Sequence, residues 1–569
     1  MNIFTKAYFL ALMGYIRLAW GRHDSRYAFH LPENPKFMGA LEAAKLIPDG
    51  AVLATSGLAA NQRPSILYWA IRETFEATGH PRGLTIVSTG GQGARGKAPG
   101  SVEELMRRDL CVRMVTGHYE TFKAVLRLAE EGGVELQCLP QGVITHLLEA
   151  QGEGWDSLLT RVGVGTFLDP RTGPGTVLAG KGAQLVSVED DQLRFRMPRV
   201  TAAVFNAYAA DREGNIYITH CPMRAEMREI TRAARQNGGV VLANVSRLVE
   251  KDPASVFIPA ESVDAVVLYP RTEQSGYIRY GREFAFLTPK SAMRPGEGLA
   301  RARFVNTVMG LTPRRGPVDQ VLARLAAGVF AENVPPGALV NIGVGLPEEV
   351  CRVLHMTGLL DQVTLFTESG VIGGVPAPGI FFGAAVGAER IISSAETFHM
   401  CAERLDATVL GVAQADGAGN VNVSRRTERL GDYVGPGGFM DLTTAARTVI
   451  FITKWMEGER VALEGGRLRF LRRGKVKFVD RVDEITMNGA EALRAGKKVF
   501  FATTVGLFRL TERGMELQSV MPGVDLQKDI LSATAMRVIL PGSGEVPLVG
   551  ESVITGRGYQ LRMGGGTAS

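Results

Sequence analysis

Residues 404–423, RLDATVLGVAQADGAGNVNV, repeat residues 199–218, RVTAAVFNAYAADREGNIYI, with Ala210, Asp211, Gly214 and Asn215 opposite Ala415, Asp416, Gly419 and Asn420. In both stretches an apolar run of β type ends in an acid followed by a glycine-bearing turn. Self-similarity of this kind decides an architecture before any single motif does, and it extends outward from here. TRAAR at 231–235 matches TTAAR at 443–447, each followed by another apolar run. LTIVSTGG (84–91) matches VTLFTESG (363–370), and AVLATSGL (51–58) is a weaker match to ALVNIGVGL (338–346). Four matches in one order predict two related α/β halves. Short β-type runs alternate with amphipathic segments such as PSILYWAIRETFEATG (64–79), the pattern of open α/β domains whose parallel or mixed sheets are covered by helices.

A chain of 569 residues, 45% hydrophobic and with mean hydropathy near zero, is too long for one core. The expected division is an N-terminal extension over 1–36, a first half over 37–287, a linker over 288–317 and a second half over 318–569. The linker reading rests on the prolines and glycines of PKSAMRPGEGLARARFVNTVMGLTPRRGP, and the second half opens on the helix-like VDQVLARLAAGVF at 318–330. The extension contains FTKAYFLALMGYIRLA (4–19), apolar and aromatic with Lys6 and Arg17 near its ends. It is too short and too charged to span a bilayer, which takes about 20 apolar residues, and it has no clear small-residue cleavage site. A helix of this composition suits packing on its own domain or a second subunit, or peripheral contact with a membrane.

The charge of +6 from 64 basic and 58 acidic residues does not call for nucleic acid and would suit an anionic ligand. Five widely spaced cysteines without a CxxC pair argue against a disulfide framework or a thiolate metal site and point to a reducing cytoplasm. The eight histidines form no HExxH, and no GxxxxGK[ST] loop is present, so zinc hydrolysis and direct ATP-driven chemistry lose ground and no metal is expected.

Glu368 stands out within TLFTESGVIGG (364–374), where a β-type run stops at an acid surrounded by Ser369, Gly370, Gly373 and Gly374. Glycines there let a ligand approach the backbone closely, and in open α/β sheets ligands bind beyond the carboxyl ends of the strands. Taken alone, the residue reads rather as a cap or turn carboxylate. The repeat adds a chemical asymmetry: opposite Glu368 stands Thr89, which cannot serve as a carboxylate nucleophile.

From about 37 to 545 the chain resembles a family I CoA-transferase of the fused, single-chain type, most similar to the acetate/propionate group. The resemblance is carried by PQGVITHLL (140–148), GVGTFLDPR (163–171), NIGVGLPEEV (341–350), TESGVIGG (367–374), GPGGFMDL (435–442) and PGVDLQKDIL (522–531), in order and at family-like spacing. It implies two CoA-transferase (NagB/RpiA-like) halves, the second carrying the catalytic glutamate, with coenzyme A as a substrate rather than a bound cofactor. Glu368 falls on the glutamate of the family's ExGxxG pattern and would form a glutamyl-CoA thioester, giving ping-pong transfer of CoA from an acyl-CoA to a free short-chain acid. Gln141 resembles the family's side-chain oxyanion donor and Gly437 or Gly438 its backbone donor, while Gly343, Gly345, Ser369 and Gly370 resemble residues lining the substrate channel. A cytoplasmic homo-oligomer is the further implication.

The first half departs from the family pattern. ATSGLAANQRPSILYW (54–69) replaces a GGFGxxGxPE-like segment, leaving Asn61 off the spacing of an asparagine that supports the oxyanion. The basic run RLRFLRRGKVKF (467–478) reads as a hairpin around Gly474 with an exposed charged face rather than a CoA phosphate site. Two rival functions share the scaffold: an acyl-CoA thioesterase in which Glu368 acts through water, and a catalytically silent ligand-binding homologue.

Overall fold

The computed structural model describes residues 1–93, 98–275, 278–280, 282–289, 291–311 and 313–564. Its framework is a pair of sheets, each nine-stranded, one in each half. The repeated sequences occupy equivalent places. In the first sheet the order Leu84–Ser88, Val52–Thr55, Ala202–Ala210, Val240–Leu248, Ala265–Leu268 is parallel throughout. In the second, the order Thr364–Phe366, Leu339–Ile342, Leu405–Leu410, Thr448–Ile452, Lys498–Ala502 is parallel as well. Each strand found by self-comparison therefore lies beside the same neighbours in its own half.

The halves differ at their edges. The first sheet continues past Leu84–Ser88 with parallel Cys111–Thr116 and Glu135–Cys138, whereas the second is extended by antiparallel Gly506–Thr511 and Gly514–Val520. The repeated Asp-Gly-Asn pattern has one physical job in both places. Asp211 Oδ1 accepts from the amides of Glu213, Gly214 and Asn215, and Asp416 Oδ1 accepts from those of Ala418 and Asn420. Each carboxylate closes the turn of a short antiparallel hairpin, the glycine supplying a left-handed φ of +96° or +77°.

Strands buried on both faces read as continuous apolar runs, and the second sheet shows why. Val340, Leu365, Val409 and Ile450 join the core on one face, while Leu339, Phe366, Val449 and Phe451 join the core on the other. Helix Pro317–Asn333 covers the first of these faces; it starts with proline at N1, and the Gly316 amide is capped by Asp319 at 2.9 Å. Helix Ser65–Thr78, the PSILYWAIRETFEATG segment, ends on Gly79 at φ +77°.

Two expectations change. The segment read as a linker contains a 15-residue helix, Pro295–Met309, because its proline occupies the first turn, where no intrahelical donor is needed. The N-terminal helix, Ile3–Ala19, packs against it through Phe9, Met13 and Ile16, which join Phe284, Phe286, Ala302 and Val305 in a small core of their own. The basic run does form a hairpin with exposed arginines, but the strands are Arg460–Glu464 and Arg467–Arg472 and the turn is at Gly465–Gly466. Gly474 instead passes beneath Glu457, where a Cβ would meet the carbonyl oxygen at 1.8 Å.

Candidate active site

The register fixes the site first. Thr364–Phe366 pairs in parallel with Leu339–Ile342, Asn341 opposite Phe366, so the Thr367–Gly370 turn and the GVGLP loop leave adjacent strand ends, the ligand side of an open α/β sheet. The turn is closed by Thr367 N–H on the carbonyl of Val371 at 2.9 Å, and Gly370, at φ +98°, lies so close to Ile392 that a Cβ would meet its carbonyl at 1.9 Å.

Ser369, expected to line the channel, holds the turn instead. Its buried hydroxyl bonds the carbonyl of Gly383 and Thr367 Oγ1, and its own carbonyl accepts from Ala225 of the first half at 3.2 Å. The Ser369 hydroxyl and the Gly370 backbone thus shape the turn that carries Glu368. Gly343 donates its N–H to Val409 at 2.9 Å, and Gly345, at φ +89°, is capped by Glu348 Oε1 at 3.1 Å, with Arg315 alongside it.

Glu368 is half-buried, and withdrawal from water pushes its carboxyl pKa up to about 7. Against it lies Gly438, whose added Cβ would fall 3.0 Å from both Cδ and Oε2 of Glu368. GPGG also clasps the first half. Gly437 donates its N–H to Gly117 at 2.7 Å and accepts from the Gln141 amide at 2.9 Å. Gly435 and Gly117 approach closely enough that a Cβ on Gly435 would meet the Gly117 carbonyl at 2.5 Å, a contact only glycine allows.

Gln141 is buried at the first position of helix Gln141–Gly152. Its backbone makes the clasp, and among the described residues no protein group bonds its side-chain amide. The next residue brings in a group that sequence reasoning missed. Gly142 donates to Asp441 Oδ2 at 3.0 Å, and burial, opposed by that hydrogen bond and increased by the charge of Glu368, pushes Asp441 up to about 8. Asp441 was visible in GPGGFMDL, but its partner is 299 residues away in sequence. The half-buried carboxyl of Glu368 and the buried one of Asp441 thus share one site, and Cys401, whose thiol is raised by burial, sits within the field of both.

The Asn61 side chain is committed within the protein. Its amide nitrogen donates to the carbonyl of Phe382 at 2.7 Å and its oxygen accepts from Ser275, tying the first half to the loop that also anchors Ser369. A further buried acid, Glu226, follows Ala225 and is raised to about 8 by burial. The described residues contain no His/Cys/Asp/Glu group suited to a metal, and no described helix is long and apolar enough to cross a membrane.

Glu368 stands on a glycine-lined turn facing a clasp between the two α/β halves, and by its relatives the chain belongs to the coenzyme A transferase family. The family profile, described as Coenzyme A transferase, matches residues 37–269. The caffeate CoA-transferase of Acetobacterium woodii is 32% identical over 87% of this chain and 93% of its own length. The acetate CoA-transferase YdiF of Escherichia coli K12 is 31% identical over 87% and 91%. The crystal structure of the YdiF acyl-CoA transferase apoenzyme from Escherichia coli O157:H7 superposes with a TM-score of 0.81 at 27% identity, covering 95% of this chain and 99% of that one. A second structure of that protein, described as a thioester complex with CoA, gives 0.81 at 28% identity over 93% and 98%. The chain is accordingly a CoA-transferase with the two-halved α/β fold.

Proposed function

We propose that the enzyme moves CoA from an acyl-CoA to a free carboxylic acid through a covalent glutamyl-CoA thioester on Glu368. The observation that carries this reading is the contact of the Glu368 carboxyl with Gly438 beside the clasp to Gln141.

Each step conserves charge without a proton shuttle. The Glu368 carboxylate attacks the thioester carbonyl, a C–O bond forms, the C–S bond breaks, and CoA leaves as thiolate. The thiolate attacks the glutamyl carbonyl of the mixed anhydride, the first acid departs as carboxylate, and Glu368 holds CoA. A second carboxylate attacks this thioester and the same two steps in reverse release the new acyl-CoA. Carboxylates and thiolate carry the reaction throughout, so no histidine is required. Poor solvation of Glu368 favours attack, since a carboxylate with few water contacts has little hydration to shed.

Both tetrahedral intermediates place negative charge on an oxygen, and preorganised donors are worth most there. Gln141 supports this role with its uncommitted side-chain amide. Between the two glycines, Gly437 has its N–H engaged by Gly117, whereas among the described residues no acceptor takes the Gly438 N–H, so Gly438 is the donor. Gly343 and Gly345 flank the path of the pantetheine arm from the neighbouring strand end. Short-chain acids such as acetate or propionate are the proposed substrates.

The test is intact mass spectrometry after mixing the protein with acetyl-CoA or propionyl-CoA without acceptor, followed by peptide mapping. A CoA-sized adduct on the peptide containing Glu368 is expected, lost in Glu368→Gln. Release of CoA without an adduct would overturn the transfer mechanism in favour of hydrolysis.

A further inference from the structure

The N-terminal helix Ile3–Ala19 has two apolar faces, and the protein covers only one. Phe9, Met13 and Ile16 are buried against the body. On the opposite side Ile3, Phe4, Tyr8, Leu10, Tyr15 and Leu18 are 75, 82, 50, 51, 55 and 79% exposed. At 100° per residue these side chains, with Ala7, Ala11 and Gly14 among them, cover an arc of roughly 160° containing no charge. An uncovered apolar face of this size marks a contact surface rather than ordinary exposure.

Charge names the partner. Residues 1–23 hold Lys6, Arg17 and Arg22 and no acid, and residues 289–317, which include the helix packed against them, hold six cations and only Glu297. These two segments carry nine basic residues against one acidic, whereas the rest of the chain carries 55 against 57. The helix segment itself is therefore purely cationic, whereas Arg303 and Arg315 of the second segment act on the Glu348 loop rather than on this face. Lys6 and Arg17 border one flank of that face, and Arg279 reaches from the body to the Tyr15 hydroxyl at 3.3 Å. Arg17 also reaches the carbonyl of Met309, at the end of the linker helix, at 3.5 Å, so the cations are carried on packed elements.

We propose that this face attaches the enzyme to an anionic phospholipid surface, the helix lying in the plane of the headgroups with Phe4, Leu18 and the tyrosines inserted and the cations on the lipid phosphates. Apolar burial and attraction to anionic lipid together are the two contributions an interfacial helix combines, and aromatic side chains with polar tips suit the headgroup depth. A second copy of the chain is the weaker occupant. A two-fold contact would bring this cationic surface against itself, and like charges across an interface oppose association. The attachment lies outside the catalytic turn and adds to the CoA-transferase reading without depending on it.

The experiment is co-sedimentation of the full-length protein with vesicles of phosphatidylcholine alone or containing phosphatidylglycerol at about 30 mol%. Binding to the anionic vesicles, release by high salt and little binding to phosphatidylcholine alone are expected. The double variant Phe4→Glu/Leu18→Glu changes only exposed positions, and it should bind at least about tenfold more weakly while its CoA-transfer rate and light-scattering mass stay at parental values. Failure of the parent protein to bind anionic vesicles, or equal binding by the variant, would overturn the proposal. A fall in the variant's mass in solution would assign the face to a second copy and overturn it equally.

Discussion

Gly438 lies against the carboxyl group of Glu368 so closely that a Cβ would sit 3.0 Å from its Cδ and Oε2. Its φ of −86° is open to any residue, so glycine is required by the neighbour and not by the backbone. Gly437 is the reverse case: φ is +53°, but the nearest atom to an added Cβ is His118 Nδ1 at 3.7 Å.

Substituting the two glycines should therefore separate stability from activity. Gly438→Ala is expected to cut kcat by about tenfold or more through displacement of Glu368, with a near-parental melting temperature. Gly437→Ala should lose about 1 kcal/mol of stability from the left-handed backbone and keep most of its turnover. Denaturant unfolding beside initial-rate kinetics reads both, and equal losses of turnover would remove Gly438's special place.

Gln141 contributes to the fold through its backbone and to chemistry through its side chain. Its amide N–H on Gly437 survives Gln141→Ala, so CoA binding and unfolding midpoint should persist. Loss of one oxyanion donor costs about 3 kcal/mol, so kcat should fall on the order of a hundredfold. Unchanged turnover would dismiss the donor role.

The two sheets were legible in the sequence because the fold repeats. A strand buried on both faces must be apolar along its length, and RLDATVL and RVTAAVF announce themselves twice. The Glu368 turn was legible because glycines gather wherever backbone meets backbone, as Gly370 meets Ile392. Asp441 and Glu226 were not, since nothing local distinguishes a buried acid from a solvated one; only the approach of Gly142, or of Ser56 to the Glu226 amide, creates their environment. The partners of Ser369 were hidden for the same reason: a serine beside an acid looks uncommitted until its bond to the Gly383 carbonyl is seen. In the linker, proline and glycine read as loop, yet proline in a first turn is compatible with the helix that follows.

The pH dependence of catalysis follows from Glu368. Its pKa is raised to about 7 by burial, and only the carboxylate attacks, so kcat/KM should rise with pH and level off above about 7. Asp441, raised to about 8 by burial and by the charge of Glu368 against the Gly142 hydrogen bond, stays largely protonated through that limb, so Asp441→Asn should leave its midpoint near the parental one. A pH–rate series on both proteins checks this, and a limb displaced well to lower pH in the variant would mean that Asp441 is already ionised beside Glu368 in the parent.

Glu226 offers a test that catalysis does not enter. The residue is buried, its Oε2 has no hydrogen-bond partner among the described residues, and burial raises its pKa from 4.5 to about 8. A carboxyl whose folded pKa exceeds its unfolded value adds stability that is complete below the unfolded pKa and is lost as pH rises through the folded one. The parent should accordingly lose stability between about pH 4.5 and pH 8, as the unfolded state ionises Glu226 first and the native state must follow. Glu226→Gln keeps the shape and removes the titration. Its stability relative to the parent should climb across that window and level off above it, read as the difference between the two unfolding midpoints at each pH. A difference that stays flat from pH 5 to pH 8 would mean that the carboxyl titrates in the native state much as it does in the unfolded chain, and that the buried site admits enough water to hold its charge.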